Sequence, residues 1–449
     1  QKPSVETRVA HSLHETFLAP VHSGHIRYSS HFTASFFNLL LPDTTAIQSY
    51  NEDSVLRIDH MIDDLVSYEG LDRLSVLLTG SKGVGKSTFS RKLVNYLWGT
   101  GGREIYYMDL DIGQSEFTPP GIISCTKITK PILDLPFNHQ EVFFENSFFV
   151  GNITVKEDDE KRYLAAVDAL YDRYLEQSPP NSTLVVNTMG WIVDFGRVVL
   201  NHVCQKLYPR YVVRLSGCHE VPSPMYQLPL SLASNLRQVS IGWRPNYYRG
   251  ESPLSAANLR ELTTISYFAK CLPESRPVLS AMVEAVPFQI DFSSLVILLP
   301  PGHRSLPDKA VFAALNLSAV ALCSIGECTL SKATRRRMLG SDELPWLVLS
   351  TPSTPPTRVM GYGIIRGADM ERRLLHVISP LSIEQMNEVD SIASLQGVPL
   401  PLPIIQSQSH THQPYVLGNG EESEPKRGVI TDLYHPFISR TALNNTRRQ

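Results

Sequence analysis

A CxxC pair is missing from this sequence: its six cysteines, Cys125, Cys204, Cys218, Cys271, Cys323 and Cys328, are scattered along 449 residues. That spacing argues against a disulfide framework and against a zinc site, and it points to a reducing compartment. A dominant charge is missing too. The formal net charge is only −3, so no uniform basic coat exists and any contact with nucleic acid must come from local patches. No stretch approaches the length of a membrane-spanning helix, so no membrane partner is expected. The start, QKPSVETRVAHS, has no apolar core of a signal peptide, and with no Met at its head the natural N-terminus is expected upstream. Internal repeats are absent. What remains has ordinary globular composition, with room for roughly two or three domains and a buried core.

Residues 1 to about 70 mix short apolar runs such as FFNLLLP (Phe36 to Pro42) with polar turns and show little helical periodicity, which reads as a small β-rich N-terminal domain. From Leu74 to about Trp243 apolar strands alternate with amphipathic helices: LSVLL, a helix, IYYMDLD, the helix RYLAAVDALYDRYLEQ, TLVVNTMGW, another helix, and YVVRLSG. That alternation is the α/β signature of a parallel sheet covered by helices on both faces. The apolar spacing within Arg162 to Gln177 is a packing stripe. Pro and Ser gather in Arg244 to Ser255, ahead of a helical segment over Ala256 to Ala269. From about Ser280 strand-like runs return, including SLVILLP (Ser294 to Pro300), and GYGIIRG followed by RLLHVISP predicts a hairpin around Ala368 to Arg372. The polar stretch Gln406 to Gly428 reads as a loop; its His410 and His412 lack Cys or carboxylate partners nearby and read as solvated, not as metal ligands. The expected domains are 1–70, 71–278 and 279–449, the last one β-rich or mixed.

Within the central region GSKGVGKST satisfies GxxxxGK[ST], entered by an apolar strand and left by an amphipathic helix. Gly80, Ser81, Lys82, Gly83, Val84, Gly85, Lys86, Ser87 and Thr88 would wrap phosphates. Backbone N–H groups converge there on phosphate oxygens and the helix dipole favours the anion. Lys86 neutralises the β/γ charge and Ser87 ligates magnesium. This predicts a P-loop NTPase sheet of RecA-like type; the alternative is a glycine-rich turn before a core helix. One strand later an apolar run ends in Asp109 and Asp111. Carboxylates at a strand's tip beside a phosphate loop hold magnesium, or accept a proton from an incoming hydroxyl. A pair of solvated strand-end acids is the competing reading.

The combination GSKGVGKST, DLDIGQSEFTPPG and NTMGW (Asn187 to Trp191) resembles the polynucleotide 5′-hydroxyl kinases that phosphorylate RNA ends, over roughly Ser75 to Phe268 and more loosely beyond. The resemblance implies ATP as donor, with GTP left open, magnesium as cofactor and an RNA 5′-hydroxyl end as acceptor. By it Lys86 binds the transferred phosphate, Ser87 and Thr88 support magnesium and phosphates, Asp111 activates the hydroxyl and Asp109 belongs to the metal shell. Thr188, Met189, Gly190 and Trp191 match the family's clasp on the 5′ end; an indole face stacks a base whatever the sequence. Trp191 packed beneath the sheet edge is the alternative. The family's lid arginine falls in Arg244 to Phe268, where Arg260 matches best and Arg249 second, unless either is a solvated helix-face residue. Gln114 belongs to the DxDxGQ pattern. A further RNA-contacting FxGxTxP-like stretch corresponds to FFVGNITVKEDD, which keeps Gly151 and Thr154 and lacks the Pro.

Between the family's two branches, GYGIIRGADMERRLLHVISP (Gly361 to Pro380) and a Gly-Val-Pro segment near Leu395 to Pro399 are closer to the ribosomal-RNA-processing kinases. That implies a nucleolar protein in the nucleus, partnered by an endoribonuclease that leaves a 5′-hydroxyl in the second internal transcribed spacer. The sister branch serves messenger-RNA 3′-end formation and tRNA splicing. A nucleotide-binding assembly switch without transfer is the rival from another class. Arg335, Arg336 and Arg337 are a basic run suited to RNA phosphates or to a solvated surface.

Overall fold

The computed structural model describes residues 50–133, 135–155, 159–193, 195–217, 236–242, 255–272, 282, 285–299, 308–325, 335–349, 354–398 and 400. Most of the expected N-terminal domain, Arg249, His410 and His412 lie outside them.

Within the 1–70 segment, the described residues 50–70 hold helix α1 (Glu52–Val66), where the sequence suggested little helical periodicity. The local chemistry explains why. The Asn51 side chain caps the helix by accepting from Ser54 N at 2.8 Å, and Glu52 and Asp53 favour the positive end of the dipole. Ile58, Met61, Ile62 and Leu65 recur at helical spacing and are each 1% exposed, so the stripe is a core face. It packs into the central sheet's own core.

Strands β1 (Leu74–Thr79), β2 (Ile105–Asp109), β3 (Ile122–Lys127), β4 (Ser147–Phe149), β5 (Thr183–Asn187), β6 (Tyr211–Ser216) and β7 (Arg237–Gly242) form the central sheet. Five are parallel, in the order β2-β5-β1-β6-β7, while β3 and β4 add antiparallel beside β2. The near-continuous apolar runs are accounted for by burial on both faces. Leu74, Val76 and Leu78 of β1, with Tyr107 and Val185, face α1 and α2 (Lys86–Thr100). The alternate residues Leu77, Met108, Leu184 and Val186 face α3 (Glu160–Gln177) and α4 (Phe195–Leu207). Fully burying each such side chain contributes about 1.5–3 kcal/mol. The two-sided burial therefore fixes the register that brings the C-terminal tips of β1, β2 and β5 together.

Helix α5 (Ala256–Ala269) starts at a capping box between Ser255 and Asn258 and buries its second half, Ile265, Tyr267 and Phe268, against the C-terminal strands. Those strands are β8 (Phe288–Asp291), β9 (Val296–Leu299), β10 (Ala319–Ser324), β11 (Arg335–Arg337), β12 (Trp346–Leu349), β13 (Arg358–Asp369), β14 (Leu374–Ile378) and β15 (Ser391–Ser394). The expected hairpin is β13 with β14, and β13 also pairs with β4, so one sheet runs from the central region into the C-terminal region. Arg337 lies on the terminal strand β11, where its guanidinium donates to the Ser293 and Leu344 carbonyls at 3.1 and 2.8 Å and stacks over Trp346 at 4.5 Å. Packing thus occupies the last arginine of the basic run.

Candidate functional site

The turn from β1 into α2 is set by backbone conformation. Gly85 caps α2 with φ 89°, a left-handed geometry that a side chain would strain. Beyond it α2 presents its N-terminus, with Ser87 and Thr88 half-buried in its first turn. Lys86 is 6% exposed and its Nζ donates to the Gly80 and Ser81 carbonyls at 2.9 and 3.0 Å. The ammonium is thus held on the loop's own backbone, aimed into the cradle where phosphate oxygens bind.

The two aspartates occupy different environments. Asp109 is 1% exposed, and both its oxygens are engaged: Oδ1 accepts from Asp111 N at 3.1 Å and Asn187 Nδ2 at 3.1 Å, and Oδ2 from Glu116 N at 2.7 Å. Burial, with Asp111 adding repulsion, pushes its pKa well above the ordinary carboxylate range. Asp111 is partly buried, and its Oδ1 accepts from the Gly113 and Gln114 amides at 3.0 and 3.2 Å, leaving Oδ2 outside these bonds. Burial raises the Asp111 pKa, while those amides and the charges of Lys86 and Arg260 hold the rise back. Arg260, half-buried in the second turn of α5, feels the reciprocal field: burial lowers its pKa and Asp111 raises it. Lys86, Asp111 and Arg260, on three separate elements, thus lie near enough for their charges to act on one another.

Asn187 was not singled out by its sequence, although a polar residue ending the otherwise apolar strand β5 beside TMGW is a readable signal. It is fully buried and orients Asp109, while its Oδ1 has no hydrogen-bond partner among the described residues. Such an orphaned acceptor suits a water of a hydrated cation. The donors Ser87 Oγ, Asp109 and Asp111 are hard oxygens, as magnesium requires. Among the described residues no group of three or more His, Cys, Asp or Glu side chains could hold a metal. A magnesium arriving with a triphosphate uses one or two carboxylates plus phosphate oxygens, so this donor set fits it.

The TMGW segment rests directly on the phosphate loop. Thr188 is buried and its hydroxyl donates to the Leu78 carbonyl of β1 at 2.7 Å. A Cβ on Gly190 would lie 2.8 Å from both Lys82 N and Cα, so only glycine permits that approach. Trp191 is 39% exposed, unusual for an indole, and lines a cleft with Tyr163, Met189, Val199 and Leu200. Gly196, also missed in the sequence, packs so closely that a Cβ there would meet the Trp191 carbonyl at 2.2 Å.

The remaining expected contacts separate. Gly151 donates its N–H to the Gly121 carbonyl at 2.8 Å and accepts from Gln396 N at 2.8 Å, joining the loop after β2 to the C-terminal region. Thr154 is exposed, and neighbouring Ile153 brings its carbonyl against Gly113. Behind this loop Tyr362 of β13 donates its hydroxyl to the Pro120 carbonyl. Tyr362 N donates to Tyr267 Oη at 2.8 Å, and that hydroxyl donates to the Val142 carbonyl at 3.0 Å.

Comparisons with known proteins agree with this architecture. Residues 80–270 match the family model of the mRNA cleavage and polyadenylation factor CLP1 P-loop. The chain is 32% identical over 383 residues to the polynucleotide 5′-hydroxyl-kinase nol-9 of Caenorhabditis elegans, spanning 84% of this chain and 67% of that protein. It is 30% identical over 377 residues to the polynucleotide 5′-hydroxyl-kinase NOL9 of Arabidopsis thaliana, spanning 79% of this chain and 93% of the other. Among solved structures, wild-type Clp1p in complex with Pcf11p superposes with a TM-score of 0.53 at 18% identity, covering 79% of this chain and 80% of that one. That likeness concerns the fold.

Proposed function

This chain belongs to the polynucleotide 5′-hydroxyl-kinase family, and from that premise we propose that it moves the γ-phosphate of ATP to the 5′-hydroxyl of an RNA. The observation that carries the reading is a phosphate loop with Lys86 held on its backbone beside a strand-end Asp111 whose Oδ2 stands outside its amide bonds, near enough that the charges of Lys86 and Arg260 act on it. Phosphoryl transfer needs little beyond positioning and charge stabilisation, and these three residues supply both. Lys86, with the loop from Gly80 to Thr88, holds the donor phosphates. Asp111, whose Oδ2 stands outside its amide bonds, takes the proton of the attacking hydroxyl. Arg260 meets the equatorial oxygens as charge spreads over them, and Thr188, Gly190 and Trp191 keep the acceptor nucleotide in line. Ser87, Asp109 and Asp111 would hold magnesium, which when bound neutralises charge on the β- and γ-phosphate oxygens.

The reading divides the chain into a kinase region over 71–278, whose lid is 244–268, and a C-terminal region over 279–449 that supports it. The Gly361 to Pro380 pattern, together with relatives named nol-9 and NOL9, supports action on pre-ribosomal RNA in the nucleolus beside an endoribonuclease. A pull-down that recovers mRNA 3′-end factors instead of a nuclease would move the protein to the sister branch.

The test is incubation with γ-labelled ATP and a 5′-hydroxyl RNA, with GTP as competitor. Label is expected on the RNA 5′ end, and Asp111→Asn should keep nucleotide binding while losing transfer by about 10²–10⁴-fold, the usual worth of a positioned base. Tight ATP binding with no label on RNA would refute the kinase reading and favour a nucleotide switch.

A further inference from the structure

We propose that Glu116 is a positioning residue for phosphoryl transfer, holding the phosphate-loop helix, the Asp109 carboxylate and the root of the lid helix in one register through a buried ion cluster. The proposal rests on the kinase reading above. Glu116 is 1% exposed, and its Oε1 forms an ion pair with Arg91, 2.8 Å from Nε, and meets His139 Nε2 at 2.8 Å. Arg91 lies on α2, little more than a turn beyond Lys86, so the first contact reaches the donor side. The Glu116 main chain reaches the acceptor side, because its N–H donates to Asp109 Oδ2 at 2.7 Å. The third arm runs through the 136–140 segment. His139 and Gln140 both engage Glu116, the latter through Nε2 on the Glu116 carbonyl at 3.0 Å, and Ser266 of α5 donates its hydroxyl to the Phe137 carbonyl.

A buried carboxylate is costly unless it is paired on more than one side, and a cluster that removes that cost holds its members in one geometry. Glu116 has no route to phosphate or hydroxyl of its own. It acts through Asp109, Arg91 and α5, the elements on which Asp111, Lys86 and Arg260 depend for alignment.

The experiment compares wild type, Glu116→Gln, His139→Gln and the double variant for RNA 5′-phosphorylation, ATP affinity and melting temperature. Gln keeps an acceptor for Arg91 and His139 and removes the charge. Glu116→Gln is expected to lower kcat about ten- to hundred-fold while ATP affinity stays within about two-fold. His139→Gln should lower kcat less, and the double variant little more than Glu116→Gln alone, because both cut one chain of contacts. Wild-type kcat in Glu116→Gln, or a loss that ATP affinity and melting temperature share equally, overturns the proposal. If Glu116→Gln does not fold, His139→Gln decides alone: a selective fall in kcat supports the cluster and unchanged kcat overturns it. A wild-type protein that labels no RNA removes the kinase reading and this one with it, whereas active wild type with an equally active Glu116→Gln removes only this one.

Discussion

The donor and acceptor halves of the proposed site are built in opposite ways. The donor half is one contiguous turn, Gly80 to Thr88, whose geometry is imposed by a strand, a left-handed glycine and a helix N-terminus. The acceptor half is assembled from the tip of β2, the loop to Gly121, the Thr188 to Trp191 turn and α5, and it is fastened by side chains far away in sequence. Asn187 fixes Asp109, and Tyr362, 242 positions beyond Pro120, holds the end of the loop. A local device tolerates change in its surroundings; an assembled one depends on them. Lesions on the donor side should therefore abolish nucleotide use outright, and lesions on the acceptor side should separate RNA use from ATP use.

After Asp111→Asn, the largest effect expected in that contrast is Lys86→Ala. It removes the charge that meets the phosphates, a loss comparable with removing a preorganised donor at a reacting oxygen, about 10²–10³-fold in kcat. ATP affinity should fall with it. Titration with a non-hydrolysable ATP analogue beside the RNA assay checks both, and unchanged nucleotide affinity would break the assignment of the donor half.

This division also explains what the sequence made legible. GxxxxGK[ST] between a strand and a helix is readable because the whole proposed cradle for the donor phosphates lies within nine residues. Asp109 and Asp111 were readable as a strand-end pair, but their unlike environments were not, since these come from Asn187, Glu116 and Arg260 on other segments. Parallel strands could be read from their apolar runs and the β13–β14 hairpin from its turn. Helix α1 is hard to read because apolar runs upstream of it dominate the segment, although its own stripe from Ile58 to Leu65 has helical period. Gly196 carried no signal, and Glu116, though inside the DLDIGQSEFTPPG run, showed no role of its own: both acquire meaning only from the neighbours that folding brings to them.

On the acceptor side Trp191→Ala should raise the KM for RNA about ten-fold, within the worth of one base stacked on an aromatic ring, and leave the KM for ATP unchanged. Equal loss of both would place Trp191 in the scaffold instead. Tyr362→Phe is subtler. It keeps the ring and deletes the bond to Pro120, leaving a buried carbonyl without its donor at a cost of about 1–2 kcal/mol. Unfolding in urea should register that cost. Steady-state kinetics should show a several-fold fall in kcat with ATP affinity intact; a stability loss with unchanged kcat would mean that the C-terminal strands do not position the acceptor loop.

The smallest effect comes from a cluster outside both halves. Asp64 of α1 bonds Arg210 at 2.9 Å, Tyr211 at 2.9 Å and Arg237 at 2.6 Å, tying the helix to β6 and β7. The Arg210 hydrogen bond leads in lowering its pKa to about 2, against the rise that burial alone would cause. A carboxylate lowered in this way stabilises the fold above its ordinary pKa of 3.8, and the contribution disappears as pH falls from there through about 2. Because the pair is partly exposed and screened, Asp64→Asn should cost about 1 kcal/mol near neutral pH, less at high salt, with kcat and both KM values unchanged. Thermal unfolding of the two proteins at neutral and acidic pH should show the gap closing on acidification. A gap that widens, or a change in RNA kinetics, would mean that α1 reaches the site and that the acceptor half extends further than its hydrogen bonds indicate.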